Sequence, residues 1–117
     1  MNMYREHILE HYKSPNNFGN LTNYNSKCNA HNLSCGDEIE IKLKIINGKI
    51  KDAKFNAKGC AISLASADIL LDYIKDKSVN DIKKLNEKDL LKLINVELSH
   101  ARMNCALLSL YALKQLK

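Results

Sequence analysis

The sequence predicts an α+β fold, a small antiparallel sheet with helices packed on one of its faces. Three observations predict it. Residues 38–46 alternate polar and apolar side chains, Glu38, Glu40, Lys42 and Lys44 interleaving with Ile39, Ile41, Leu43 and Ile45, which is the period of a half-buried strand. Asn47-Gly48 follows at once, and that dipeptide favours a two-residue hairpin because a type I′ turn needs positive φ at both central positions. Beyond Gly59-Cys60 the spacing is helical. Strands grouped ahead of helices argue for α+β.

The first element is a helix over residues 3–13, where Tyr4, Ile8 and Tyr12 form a narrow apolar stripe. Ser14-Pro15 ends it, since the residue before proline avoids the α region. The polar run "NNFGNLTNYNS" reads as a loop approaching a first strand near residues 24–31. After the hairpin turn, "KIKDAKFNAK" is the return strand. Its apolar parity changes between Ile50 and Ala53, and a bulge near Lys51-Asp52 reconciles the two. "AISLASADILLDYIKD" then reads as the central core helix, because its only polar stripe is Asp68, Asp72, Lys75 and Asp76. Two short helical pieces follow, the second capped by Asn86 with Asp89 at N3. A last helix begins around Ser99–Ala101, with Met103, Leu107, Leu110 and Leu113 on its core side.

The 117 residues suit one domain spanning 1–117, since domains commonly run to ~100–150 residues. No apolar run is long enough for a transmembrane helix, and the N-terminus lacks an apolar signal core, so the expectation is a cytoplasmic protein with no membrane partner. The net charge of +5 comes from spread lysines, with only Arg5 and Arg102 as arginines, and it reads as a solvated surface, not a nucleic-acid site. A basic surface of this kind also suits an acidic protein partner.

The cysteines are Cys28, Cys35, Cys60 and Cys105, and none forms a CxxC pair. Without a signal peptide, metal binding or catalysis is the expectation ahead of a disulfide framework. Cys35 precedes Gly36 and Asp37 at a strand entry, where alternation puts Cys35 and Asp37 on one side. Cys60 sits at the start of the core helix, where unpaired N–H groups favour a thiolate, and Ser63 lies one turn on. Cys105 stands three residues after Arg102, whose guanidinium also favours ionisation. Three thiolates and one oxygen suit four-coordinate zinc or a labile iron–sulfur cluster. On the residues alone, that shared site and a set of small core thiols both stand.

"CGDEIEIKLKIINGKIKDAKFNAKGCAISLASADIL", with "HYKSPNNFG" before it and "ARMNCALLSLYAL" after it, resembles the U-type iron–sulfur cluster scaffold family, comprising IscU, SufU and the NifU N-terminal domain. The resemblance runs in order through nearly the whole chain. It implies the family's α+β fold, with Cys35, Asp37, Cys60 and Cys105 as ligands of a transient [2Fe-2S] cluster, iron or zinc. It implies a cysteine desulfurase as sulfur donor and apo-iron–sulfur proteins as acceptors. Sulfur transfer needs an accessible thiolate, and the expected acceptor is Cys35 or Cys105, with Arg102 raising the thiolate population or guiding the persulfide. Such a protein is a scaffold, at most a persulfide sulfurtransferase. Asn104, where the IscU type has His, and the missing Pro-Pro motif resemble the SufU branch. The short interval between Cys60 and Cys105 resembles the IscU branch.

Other readings are a zinc-bound persulfide carrier, a zinc-bound interaction or nucleic-acid module, and a small zinc hydrolase, for which no Glu near the cysteines offers a base. Cys28 reads as a core thiol, and His31 and His100 as exposed loop residues. "HILEH", His7 to His11, fits an H-x-x-E-H peptidase pattern but has no third ligand in the sequence, so Glu6 and Glu10 read as solvent-facing.

Overall fold

The computed structural model describes residues 3–32, 36–95 and 98–116, without the side chains of residues 3–5 and 101. Its elements are α1 (Met3–Lys13), β1 (Ser26–Asn32), β2 (Asp37–Ile46), β3 (Lys49–Lys58), α2 (Ala61–Ile74), α3 (Val79–Lys84), α4 (Glu87–Ile94) and α5 (His100–Leu113). The strands form one antiparallel sheet in the order β1-β2-β3. The α+β expectation holds.

The hairpin forms as its turn chemistry requires, with φ of 53° at Asn47 and 76° at Gly48. The parity change in the return strand is a bulge. Lys44 pairs with Asp52 while Ile45 pairs with Ile50, so Lys51 is the extra residue. That single insertion lets Ile50, Ala53 and Phe55 all face the core.

One face of the sheet carries Cys28, Ile39, Ile41, Leu43, Ala53 and Phe55, all buried. Helix α5 lies over β1 and β2, and α2 lies over β3. Helix α4 packs against both helices, and α1 packs on α2. The Asn86–Asp89 capping box forms with both hydrogen bonds at 3.0 Å, fixing the start of α4. In α5, Leu107, Leu110 and Leu113 are buried and Met103 is half-buried, but Ala106, Leu108 and Ala112 are buried too, so the helix is covered on more than one side.

The polar stripe along α2 is only partly a solvent face, with Asp72 and Asp76 exposed and Lys75 half-buried. Asp68 is fully buried. Its carboxylate accepts hydrogen bonds from the Asn17 N–H (2.8 Å), the Asn17 side-chain amide (2.9 Å) and the Asn16 N–H (3.2 Å), and meets His11 Nδ1 at 2.6 Å. Asp72 accepts from the side chains of Asn16 and Asn17, and the Lys75 amine reaches Asn17 Oδ1. The segment after α1 is therefore tied to α2 by polar contacts. It continues along the open edge of β3, where the Phe55 N–H donates to Asn17 O and the Gly19 N–H donates to Phe55 O, at 2.8 and 2.9 Å. At the other end of that edge, the Ile50 N–H donates to Lys77 O and Ile50 O accepts from the Asp76 N–H. Backbone groups that would otherwise template aggregation are used internally.

Candidate metal centre

Three elements begin at one place. Asp37 is the first residue of β2 and follows Gly36, which takes φ of 76° and donates its N–H to Asn32 O at 2.8 Å. Glycine adopts that backbone region at no steric cost. Cys60 is the N-cap of α2 in extended geometry. Cys105 lies in the second turn of α5.

One ligand atom from each of Asp37, Cys60 and Cys105 lies within 4.8 Å of the other two. Asp37 and Cys105 are buried, and Cys60 is half-buried. Ser63, one turn into α2 and also buried, donates its hydroxyl to Asp37 Oδ2 at 2.5 Å and stands 3.7 Å from Cys60 Sγ. Cys60 Sγ is itself 3.9 Å from Asp37 Oδ2.

The two thiols are driven apart. Burial works against ionisation at Cys60, yet the Ser63 N–H and hydroxyl, the Ile62 N–H and the Cys105 thiol outweigh it and lower its pKa. This is the helix-start effect expected from the sequence. Cys105 behaves oppositely. Burial, hydrogen bonds to Asp37 and Cys60, and the charges of both push its pKa from 9.0 up to about 12. The expectation that Arg102 would ionise Cys105 is corrected. Arg102 is exposed, has no ion pair with another described residue, and does not offset two acidic neighbours. A carboxyl and two thiols packed together repel one another when charged, so one holds its proton. A divalent cation removes that conflict, and sulfur and carboxylate donors suit zinc or iron.

Cys35, the remaining ligand expected from the family pattern, lies outside the described residues. Cys28 does not join the centre. It is buried in β1 among apolar side chains, and burial raises its pKa from 9.0 to about 12. His31 and His100 are exposed, His31 on β1 and His100 at the start of α5, not on loops. The H-x-x-E-H pattern is absorbed structurally. His11 turns to Asp68, His7 packs edge-on to His11 at 4.7 Å, and Glu6 and Glu10 are exposed.

The NifU-like N-terminal domain family matches residues 3–116. The chain belongs to it. Among curated relatives of this NifU-like domain, an iron–sulfur cluster assembly scaffold protein IscU of Thermotoga maritima is 37% identical over 129 residues, covering 97% of this chain and 91% of its own. The iron–sulfur cluster assembly enzyme IscU of Drosophila melanogaster is 32% identical, covering 96% and 74%. A zinc-dependent sulfurtransferase SufU of Bacillus subtilis is also 32% identical, covering 97% and 88%. Among solved structures, a putative iron–sulfur cluster assembly scaffold protein for the SUF system from Fervidobacterium islandicum superposes with a TM-score of 0.76 at 26% identity, over 93% of this chain and 92% of that one. This NifU-like domain is thus a member of the IscU/SufU-type cluster assembly scaffold family, with relatives from both named branches.

The family pattern named the ligand candidates. The stretch that carries the resemblance includes Gly59 and Ser63, but it gave no role to Gly59 or to the Asp68 network. Gly59 had a local signal, its place beside Cys60, but no sequence pattern reports which carboxylate stands opposite it.

Proposed function

We propose that the chain accepts sulfur from a cysteine desulfurase and assembles a transient [2Fe-2S] cluster on Cys35, Asp37, Cys60 and Cys105, then passes it to apo-iron–sulfur proteins. The observation that carries this reading is the meeting of Asp37, Cys60 and Cys105 within 4.8 Å, at the starts of a strand and two helices, in a chain of the scaffold family. The reading takes residues 1–117 as one domain acting in a thiol-reducing compartment such as the cytoplasm, in keeping with free thiols at Cys28, Cys60 and Cys105.

In the sulfur step, a scaffold thiolate at Cys35 or Cys105 attacks the terminal sulfur of the desulfurase persulfide. A new S–S bond forms on the scaffold, the donor's S–S bond breaks, and the donor leaves as a thiolate. Cys105 must first lose a proton, which a cation in the centre favours. The chain makes no catalytic turnover of its own in this scheme. Arg102, exposed in the first turn of α5, guides the incoming persulfide, and an Arg102→Ala protein that supports normal sulfur uptake would remove it from the scheme.

Asp37 keeps the site exchangeable. A hard oxygen binds iron less firmly than thiolate does, so the cluster is not locked in an all-sulfur cage. A second reading is a zinc-bound persulfide carrier, favoured by the name of the Bacillus subtilis relative and by a donor set that suits zinc.

One experiment separates these. The protein is purified without oxygen, its zinc and iron are measured, and a desulfurase with cysteine and iron is added. Growth of a visible charge-transfer band supports the scaffold. Persulfide labelling with zinc retained supports the carrier. Neither outcome would reject both.

A further inference from the structure

The carboxylate of Asp37 rests in a two-sided seat. On one side the Ser63 hydroxyl donates to Oδ2 at 2.5 Å. On the other, Gly59 presents a bare Cα. A Cβ placed there would stand 2.9 Å from Asp37 Cγ and 3.1 and 3.2 Å from its two oxygens. Real side chains do not approach so closely, so any residue but glycine displaces the carboxylate. Gly59 has no left-handed φ to preserve, and the atoms a Cβ would strike belong to a movable side chain, not to backbone. The glycine is required by the carboxylate's position and not by the fold of the chain around it.

The same hydroxyl also lies 3.7 Å from Cys60 Sγ. A serine carries a single proton, and while Cys60 is a neutral thiol the shorter contact, to Asp37, takes it. This fixes the Oδ2 oxygen of the carboxylate. A long-range contact, |i−j| of 26, thus joins the start of β2 to the first turn of α2 at the centre itself.

We propose that Ser63 and Gly59 are positioning residues that hold the Asp37 carboxylate in ligand-ready register with Cys60 and Cys105 before metal arrives. The proposal rests on the reading of those three residues as metal ligands. Neither positioning residue need touch the metal. Ser63 acts by hydrogen bond and Gly59 by leaving room. Outer hydrogen-bond partners of ligands typically govern about 10–100-fold in metal affinity.

The test is zinc and cobalt(II) binding to the whole chain against a competing chelator, with no desulfurase or iron present. Gly59→Ala and Ser63→Ala are each expected to weaken zinc by about 10–100-fold, while Ser63→Thr, which keeps the hydroxyl, binds nearly as the parent does. The cobalt absorption spectra of the first two should move toward that of Asp37→Ala. In an Asp37→Ala background, neither change should weaken binding further, because both act through that carboxylate. A merely structural serine would not show that dependence. Unchanged zinc affinity in both variants overturns the proposal, and so does an equal loss with and without Asp37. If Gly59→Ala fails to fold, the paired Ser63 variants decide alone. A parent chain that binds zinc and never builds a cluster sinks the scaffold reading and leaves this inference standing. A parent that binds neither metal overturns both.

Discussion

Two groups of three potential metal ligands lie along α2. At its start are Asp37, Cys60 and Cys105, and two turns further along are His11, Asp68 and Asp72. In each group the ligand atoms fall within 4.8 Å of one another. Their chemistry is opposite. Every member of the first is an acid. In the second, the buried carboxylate of Asp68 is met by an imidazole, two backbone N–H groups and a side-chain amide. A buried charge is stable only when its surroundings answer it. Asp68 is answered from within the chain, and its cluster is a latch. The first group has the Ser63 hydroxyl and the Ser63 and Ile62 N–H groups as donors, but its three acids still face one another, so a cation completes it. Proximity of ligand-type residues does not distinguish the two, and the count of donors does.

The largest expected effect breaks the latch. Asp68→Ala leaves buried N–H groups of residues 16 and 17 without their acceptor and should lower stability by about 3–5 kcal/mol, read by urea unfolding. Hydrogen exchange should rise through residues 6–20. Zinc affinity should stay within about twofold, because the latch is held by His11, Asn16 and Asn17, about two turns of α2 away from Cys60. A large loss of zinc binding with unchanged stability would reverse the assignment of the two clusters.

The matching change in the other cluster should do the converse. Asp37→Ala removes one acid from among three, so stability of the metal-free chain should fall far less than for Asp68→Ala. Cluster release to an apo-acceptor should slow by about tenfold, a barrier change of ~1.4 kcal/mol, followed by loss of the visible band. Unchanged release kinetics would remove the oxygen ligand's role in exchange.

A third environment serves as a control. Cys28 is buried among apolar groups, and its pKa is raised from 9.0 to about 12. The folded state therefore keeps a proton that the unfolded chain releases first. The stabilisation is complete below pH 9.0 and is lost as pH rises toward about 12. Cys28→Ala should flatten the alkaline fall in stability by up to about 1.4 kcal/mol per pH unit, measured by denaturation at stepped pH. An unchanged slope would show that this thiol is not held protonated by burial.

The smallest expected effect lies away from both clusters. Asn86→Ala removes the capping box of α4 and should cost about 1 kcal/mol, with zinc binding untouched. It calibrates how far a local loss of stability alone moves the metal centre.

The sequence by itself determined the elements whose causes are local. The Asn47-Gly48 hairpin, the bulge at Lys51 and the Asn86–Asp89 cap each depend on residues within a few positions of one another, and each formed as read. The start of α2 at Cys60 was legible for the same reason, as was the tendency of that thiol to ionise. Family motifs named Asp37, Cys60 and Cys105 together, but spacing alone left their meeting open. Three matters were settled only by the tertiary structure. Asp68 became a buried anchor because its partners His11, Asn16 and Asn17 lie 57, 52 and 51 positions away, beyond any helical pattern. Cys105 rose in pKa where its local neighbour Arg102 pointed to the reverse, because burial and then the acids facing it from the starts of β2 and α2 push it up. Gly59 acquired a purpose only when the strand start of Asp37 was brought against it. Hydrogen-bond and charge complementarity across elements depends on distance through space, and periodicity along the chain does not encode it.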